Sequence, residues 1–208
     1  MSDEIEKLRR GYLIAIEGSD RIGKTTLIES LKKNLEAKVY HFPTREGPIG
    51  ELLDKYLRGE AEIKNLHSSH YLFSADRWEH EDKIKEILNQ GKNVILDRYI
   101  LSGYIYTICQ QEEAKIWAKR ADYGLIKPDV QIIITDDSDK LMKRISKTSN
   151  PERYESALFQ KKINSAFKQE AQENTSNVPC LWLTSSIKFD ESKLDWIVKK
   201  LEKVSVCH

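Results

Sequence analysis

Five short runs of aliphatic and β-branched residues punctuate the chain, and longer stretches of mixed charge and apolar spacing separate them. "YLIAIEG" (12–18), "NVILDRY" (93–99) and "VQIIIT" (130–135) are nearly continuous apolar runs, the pattern of parallel strands buried on both faces. "KVYHF" (38–42) and "CLWLT" (180–184) are shorter strand candidates. Between them, "TTLIESLKKNLEA" (25–37), "HEDKIKEILNQG" (80–91) and "SALFQKKINSAFKQEA" (156–171) space their apolar residues as helices do. Strands alternating with helices predict an α/β fold whose mostly parallel sheet is flanked by helices on both faces, with right-handed crossovers. No repeat, low-complexity tract or Pro/Gly linker interrupts residues 1–208, so a single domain is expected. The least core-like interior stretch, "SKTSNPER" (146–153), reads as a surface loop or lid.

Charge changes this picture little. With a formal net charge of +1, the chain has no global field to recruit nucleic acid or an anionic membrane, so neither is expected as a partner. Any anion must be held by a local site. Cys109, Cys180 and Cys207 are few and far apart, without zinc-ligand spacing, which suggests a reducing compartment. "MSDEIEKLRR" carries no apolar signal core, and no apolar run reaches membrane-spanning length. A cytoplasmic protein is expected, with a nuclear or viral setting open.

The local site is not hard to find. Gly18-Ser19-Asp20-Arg21-Ile22-Gly23-Lys24-Thr25 fits G-x-x-x-x-G-K-[ST] without mismatch, between a predicted strand and a predicted helix, and Thr26 follows. Glycines let backbone N–H groups wrap phosphate oxygens, and the helix N-terminus adds partial positive charge. Lys24 reaches the outer phosphates and the Thr25 hydroxyl suits Mg²⁺, so ATP with Mg²⁺ is the expected ligand pair. At the end of "NVIL" stand Asp97, Arg98 and Tyr99. Ligands of open α/β sheets bind at strand C-termini, so Asp97 can hold Mg²⁺ directly or through water and Arg98 can grip a phosphate. The plainer alternative makes Asp97 a helix cap and Arg98 a solvated charge.

A GTPase would need switch loops and a base-reading [NT]-K-x-D, and neither is found. Instead "HFPTREGPIG" (41–50), "YLFSADRWE" (71–79), "DRYILSG" (97–103), "GLIKPD" (124–129) and "ERYE" (152–155) follow the phosphate turn in order. Together they resemble thymidylate kinases, particularly the eukaryotic and poxviral branch, from residue 11 to about 170. That resemblance implies a P-loop nucleoside monophosphate kinase fold with a lid near 143–155, a homodimer, and transfer of the ATP γ-phosphate to thymidine monophosphate.

The resemblance also implies roles. Phe73 and Arg77 lie four apart and would share one helix face, a ring to stack on the base and a guanidinium to donate to its carbonyl. Arg45, just past Phe42, matches the arginine on the acceptor phosphate; Asp20 matches the acid at the deoxyribose 3′-hydroxyl, and Tyr154 the ring beneath the sugar. Tyr106 aligns with an aromatic of the base pocket, beside Ser102 and Gly103. Arg21, within the turn, corresponds to the branch that keeps its catalytic arginine there, joining Lys24, Arg98 and Asp97 in the catalytic set. Arg144 resembles an arginine near the donor adenine, and Ser185 and Ser186 lie in the adenine-loop region. Without the motif context, Phe73 and Tyr106 read equally as core aromatics, Arg77 as a surface ion pair, and Lys143 and Lys147 as solvated lid charges. Ile100-Leu101 and Ile126 depart from the family pattern and leave acceptor breadth open. The rival readings are another nucleotide or nucleoside kinase, and a nucleotide-dependent switch or inactive scaffold.

Overall fold

The computed structural model describes residues 10–136, 145, 152–185, 195–197 and 199. Strands β1 (Leu13–Gly18), β2 (Lys38–His41), β3 (Val94–Asp97), β4 (Val130–Thr135) and β5 (Cys180–Thr184) form one sheet in the order β2-β3-β1-β4-β5. Every pairing is parallel. Helices α1 (Lys24–Leu35), α2 (Gly47–Leu57), α3 (Leu66–Asn89), α4 (Ile100–Gln110) and α5 (Ala157–Glu173) connect and cover it, and two short 3₁₀ turns (Glu112–Ile116, Ala118–Arg120) follow α4.

Strand alternation divides the core. Ile14 and Ile16 of β1 join Ile132 and Ile134 of β4 against Ile28 and Leu31 of α1. Leu13 and Ala15 point the other way, into a cluster with Ile84 and Leu88 of α3 and Val94 and Leu96 of β3. Ile133 packs with Leu101 and Ile105 of α4 and with Ile163 and Phe167 of α5. Each such fully buried aliphatic side chain contributes about 1.5–3 kcal/mol. All residues of β1 and β4 are buried, whereas the edge strands β2 and β5 are partly open. This explains why the central strands were the plainest in the sequence.

Three helices go beyond the sequence expectation, α2 and α4 having no counterpart there. α3 runs from Leu66, not residue 80, and its start is capped by the Asn65 side chain, which accepts from the backbone N–H of His67 (2.9 Å) and Ser68 (3.3 Å). Its N-terminal half buries Ser69, His70, Ser74, Asp76 and Arg77, so no apolar stripe marks it. The apolar run 99–108 becomes Tyr99 and α4, with Leu101 and Ile105 buried and Tyr104, Tyr106 and Ile108 half-buried.

In register, Ile16 of β1 faces Asp97 of β3, so both strands end side by side. β1 also marks the point where the chain's progression reverses, with β2 and β3 on one side and β4 and β5 on the other. Open α/β sheets place ligands at such a point, beyond the strand C-termini.

Candidate active site

β1 leads directly into the phosphate turn. Gly18 has φ 150°, and a Cβ there would lie 2.4 Å from the Ile134 carbonyl oxygen, so no larger residue fits. Gly23 (φ 98°) turns the chain into α1. Lys24 Nζ donates to the Ser19 carbonyl at 2.9 Å, curling over the turn. Burial, reinforced by the Arg98 charge, pulls the Lys24 ammonium down to about 8, against the opposing pull of Asp97, Asp20 and Glu17. The Ser19 hydroxyl is buried without a partner among the described residues. Ile22 packs its side chain into the core. Thr25 and Thr26 are exposed in the first turn of α1. Arg21 projects outward from φ 59° and lies 3.6 Å from Glu155.

Asp97 ends β3 with two different oxygens. Oδ2 lies 3.1 Å from His41 Nδ1, while Oδ1 is buried with no partner among the described residues. Burial would raise this carboxyl, but the His41 hydrogen bond and the Lys24 charge hold it below its ordinary range. Asp97 therefore presents an anionic, uncommitted oxygen beside the phosphate turn.

A cavity of about 240 Å³ opens beside the turn, and it gathers every residue expected on the acceptor side: Asp20, Phe42, Arg45, Phe73, Arg77, Arg98, Ser102, Gly103, Tyr106 and Tyr154. Asp20 belongs to the phosphate turn by sequence, yet its side chain points into this cavity. It is ion-paired with Arg98, and accepts from the Tyr106 hydroxyl (3.0 Å) and Gln160 Nε2 (2.6 Å). Burial opposes its charge, but Arg98 and Lys24 outweigh burial and keep the carboxyl below its usual range. Gln160 also accepts from the Asp20 backbone N–H at 2.8 Å and donates to the Tyr154 carbonyl at 2.8 Å, so it ties the turn to the residue 152–155 segment.

Arg77 is an ion pair, though a buried one. Its Nε and Nη2 donate to the two carboxylate oxygens of Asp122 at 3.0 and 2.8 Å, and Ser74 donates to the same carboxylate at 2.8 Å. The bidentate contact fixes the guanidinium plane. A Cβ on Gly103 would come within 2.8 Å of Arg77 Nη2, so glycine there lets α4 pass flat against the guanidinium. Phe73, one helical turn away, packs edge-on to Tyr56 at 6.4 Å. Tyr154 bonds its hydroxyl to that of Tyr56 (2.9 Å) and packs its ring near Tyr106 and Phe159.

Arg45, at φ 58°, is held by carboxylates: Glu152 at 2.8 Å from both terminal nitrogens and Asp54 at 2.6 Å. These bonds, Glu152 first, raise its pKa against the opposing effect of burial. An acceptor phosphate at Arg45 would take over positions now filled by carboxylate oxygens. Arg144, Lys143, Lys147 and Ser186 lie outside the described residues; Ser185 follows β5.

Sequence reasoning missed Glu17, Asp54, Asp122 and Gln160. Only Glu17 carried a signal, a carboxylic acid inside a run read as a buried strand. The others gain their meaning from partners 9 to 140 residues away.

Comparison with known proteins agrees with this geometry. The family model described as "Thymidylate kinase" matches residues 16–192. The chain is 37% identical over 185 residues to the human thymidylate kinase, covering 86% of each chain. It is 37% identical over 205 residues to that of Plasmodium falciparum, covering 95% of this chain and 93% of the relative. Among solved structures, the thymidylate kinase of Candida albicans, described as having broad substrate specificity, superposes with a TM-score of 0.80 at 33% identity and 94% coverage of both chains. The phosphate turn, the cavity beside it and these matches together make the chain a member of the thymidylate kinase family, a nucleoside monophosphate kinase whose chemistry is ATP-dependent phosphoryl transfer.

Proposed function

We propose that the acceptor is thymidine monophosphate, bound in the 240 Å³ cavity, with the ATP phosphates on the turn from Gly18 to Thr25. The observation that carries this reading is convergence. Residues from the phosphate turn, the β2–α2 loop, α3, α4 and the 152–155 segment line one cavity, which supports a single nucleotide bound there. Phe73 stacks on the base, and Arg77, its plane fixed by Asp122, donates to the 4-carbonyl. Asp20 takes the 3′-hydroxyl, Tyr154 lies beneath the sugar, and Arg45 exchanges its carboxylates for the acceptor phosphate.

The attacking phosphate oxygen is already anionic, so no general base is required. Catalysis is alignment plus charge neutralisation by Lys24, Arg21 and Arg98. The Asp97 and Thr25 oxygens fit Mg²⁺, a hard cation that takes few protein ligands and completes its shell with phosphates and water. Bound there, it would neutralise the donor phosphates. Arg144 and the lid residues 143–155, within one domain spanning 1–208, would cover the adenine and exclude water.

A homodimer belongs to the same reading. Large side chains exposed among the described residues include Tyr71 and Trp78 of α3. A cytoplasmic setting suits the free thiols of Cys109 and Cys180. No helix among the described residues is long and apolar enough to cross a membrane.

Coupled measurement of ADP release across nucleoside monophosphates tests the acceptor. Thymidine and deoxyuridine monophosphates should be substrates. Cytosine would set its amino group against the Arg77 donors, so deoxycytidine monophosphate should be disfavoured by up to roughly 10⁴-fold in kcat/KM. Equal use of deoxycytidine monophosphate would overturn the reading, and activity on unphosphorylated nucleosides alone would make the chain a nucleoside kinase.

A further inference from the structure

Glu17 is fully buried, although it sits between the phosphate turn and a run of aliphatic residues. A carboxyl in such a place needs partners, and both of its oxygens have them. Oε1 accepts the Tyr99 backbone N–H at 3.1 Å, and Oε2 is hydrogen-bonded to the Ser102 hydroxyl. Tyr99 and Ser102 flank the start of α4, and Tyr99 is its N-cap, a position without a side-chain cap. No step of the transfer reaction described above uses Glu17.

The residue it stands next to explains it. Arg98 has φ 67°, a left-handed conformation that residues with a Cβ adopt only when their surroundings impose it. The turn containing Arg98 is pinned by two successive N–H groups. That of Arg98 goes to the Ile16 carbonyl at 2.9 Å, and that of Tyr99 goes to the Glu17 carboxyl. Both anchors come from β1, so the turn is bolted to the strand that carries the phosphate turn. From this start the Arg98 side chain spans the site: Nη1 donates to the Gly18 carbonyl at 2.7 Å, and Nη2 pairs with Asp20. Nη1 also lies 3.4 Å from the Ser102 hydroxyl, which Glu17 orients.

We infer that Glu17 is a positioning residue for Arg98: it holds the Tyr99 N–H and the Ser102 hydroxyl, and thereby fixes the strained turn that aims the guanidinium between donor and acceptor. Burial pushes its carboxyl up to about 7, against the Ser102 hydrogen bond and the Arg98 charge. A buried carboxyl kept at that disadvantage, where an apolar residue would fill the same space, fits a geometric task. The inference rests on the role given to Arg98 in the proposed function.

A mutant cycle tests it, with turnover normalised to folded protein and KM measured for each substrate. Glu17→Ala should lower kcat about 10²-fold, the scale of an ångström-sized misplacement, with the KM for ATP nearly unchanged. Glu17→Gln should restore most of the rate, because an amide can accept from the Tyr99 N–H and donate to Ser102. Glu17→Asp withdraws the carboxylate by one methylene and should give an intermediate loss, and it also serves if the alanine variant fails to fold. In an Arg98→Ala background neither Glu17→Ala nor Glu17→Asp should cost anything further. Multiplying losses, a loss confined to the ATP KM, or full turnover in folded Glu17→Ala would overturn the inference while leaving the proposed function standing. Full turnover in Arg98→Ala alone would overturn both the role of Arg98 and the inference built on it.

Discussion

The phosphate turn and the cavity beside it share Asp20, and Arg98 bridges them through the Gly18 carbonyl, yet they are made in different ways. The turn is eight consecutive residues whose work is done by the backbone, a lysine and a helix N-terminus. The cavity is made of side chains far apart in sequence, and its cations are each held by an acid: Arg98 by Asp20, Arg77 by Asp122, Arg45 by Glu152 and Asp54. A site of the first kind tolerates change around it as long as its glycines and lysine stay. A site of the second kind depends on residues that never touch the ligand, so it should fail through its supports. Substitutions in the two regions should therefore differ in kind as well as in size.

The largest effect is expected on the donor side. Arg21 is exposed and only loosely paired with Glu155, so it is free to move onto the transferring phosphoryl group. If it acts as an arginine finger in cis, Arg21→Ala should lower kcat about 10³-fold or more, with small changes in either KM. Lys24→Ala should lower turnover about 10²–10³-fold, because a preorganised charge in a shielded site is lost. Arg21→Ala should not lose stability, because Arg21 is exposed, whereas Lys24→Ala removes a buried cation that favours the charged forms of Asp20 and Asp97 and should lower the melting temperature. Steady-state kinetics together with thermal unfolding would check both statements. An Arg21→Ala effect confined to KM would move the transition-state charge from the turn to the lid.

This contrast also accounts for what the sequence disclosed. The strands β1 and β4 and the donor turn were legible because their signals are local: an unbroken apolar run, then glycines and a lysine at fixed spacing. The residues expected on the acceptor side were picked out only by family resemblance, and they line one cavity. Nothing about Phe73 or Arg77 separates them from a core ring and a surface charge until the rest of the cavity is present. Their supports stayed hidden for the same reason. Asp122 lies 45 positions from Arg77, and Gln160 lies 140 from Asp20. The first half of α3 was missed because it buries polar side chains that build the cavity, which erases the apolar stripe that marks a helix.

Removing an acid that holds one of these cations should give a second, different loss. Asp122→Asn leaves the Arg77 guanidinium buried and without its counter-ion, and removing one member of a buried pair costs about 3–5 kcal/mol. The melting temperature should fall, and kcat/KM for thymidine monophosphate should drop about 10²-fold as the guanidinium leaves its plane. The KM for ATP should stay unchanged. If acceptor kinetics survive while stability falls, Asp122 serves the core alone.

Phe73→Ala sharpens the comparison further, because it removes a cavity-lining ring without unpairing a charge. Loss of one ring stacked on a base costs about 1–3 kcal/mol where such contacts have been measured by substitution. The effect should fall on the acceptor KM, and stability should change less than in Asp122→Asn, since Phe73 is only partly buried. Equal losses for the ATP KM would place the ring outside the base site.

The smallest effect concerns the sugar, and it depends on shape alone. The Tyr154 ring is wedged among Tyr56, Tyr106 and Phe159, with its hydroxyl bonded to Tyr56. Its carbonyl is held by Gln160, the residue that also holds Asp20, so the ring and the 3′-hydroxyl acceptor are fixed relative to each other. With the 3′-oxygen on Asp20, a 2′-hydroxyl would meet the face of this ring without a hydrogen-bond partner. Tyr154→Ala opens that space to the added oxygen and to water. The preference for thymidine monophosphate over its ribose analogue, as a ratio of kcat/KM values, should fall about tenfold, the scale expected for one small group. Tyr154→Phe keeps the ring and loses only the bond to Tyr56, so it should retain the wild-type ratio. A ratio that falls as far in Tyr154→Phe as in Tyr154→Ala would assign the discrimination to the Tyr56–Tyr154 hydrogen bond, and an unchanged ratio in both would move it to another wall of the cavity.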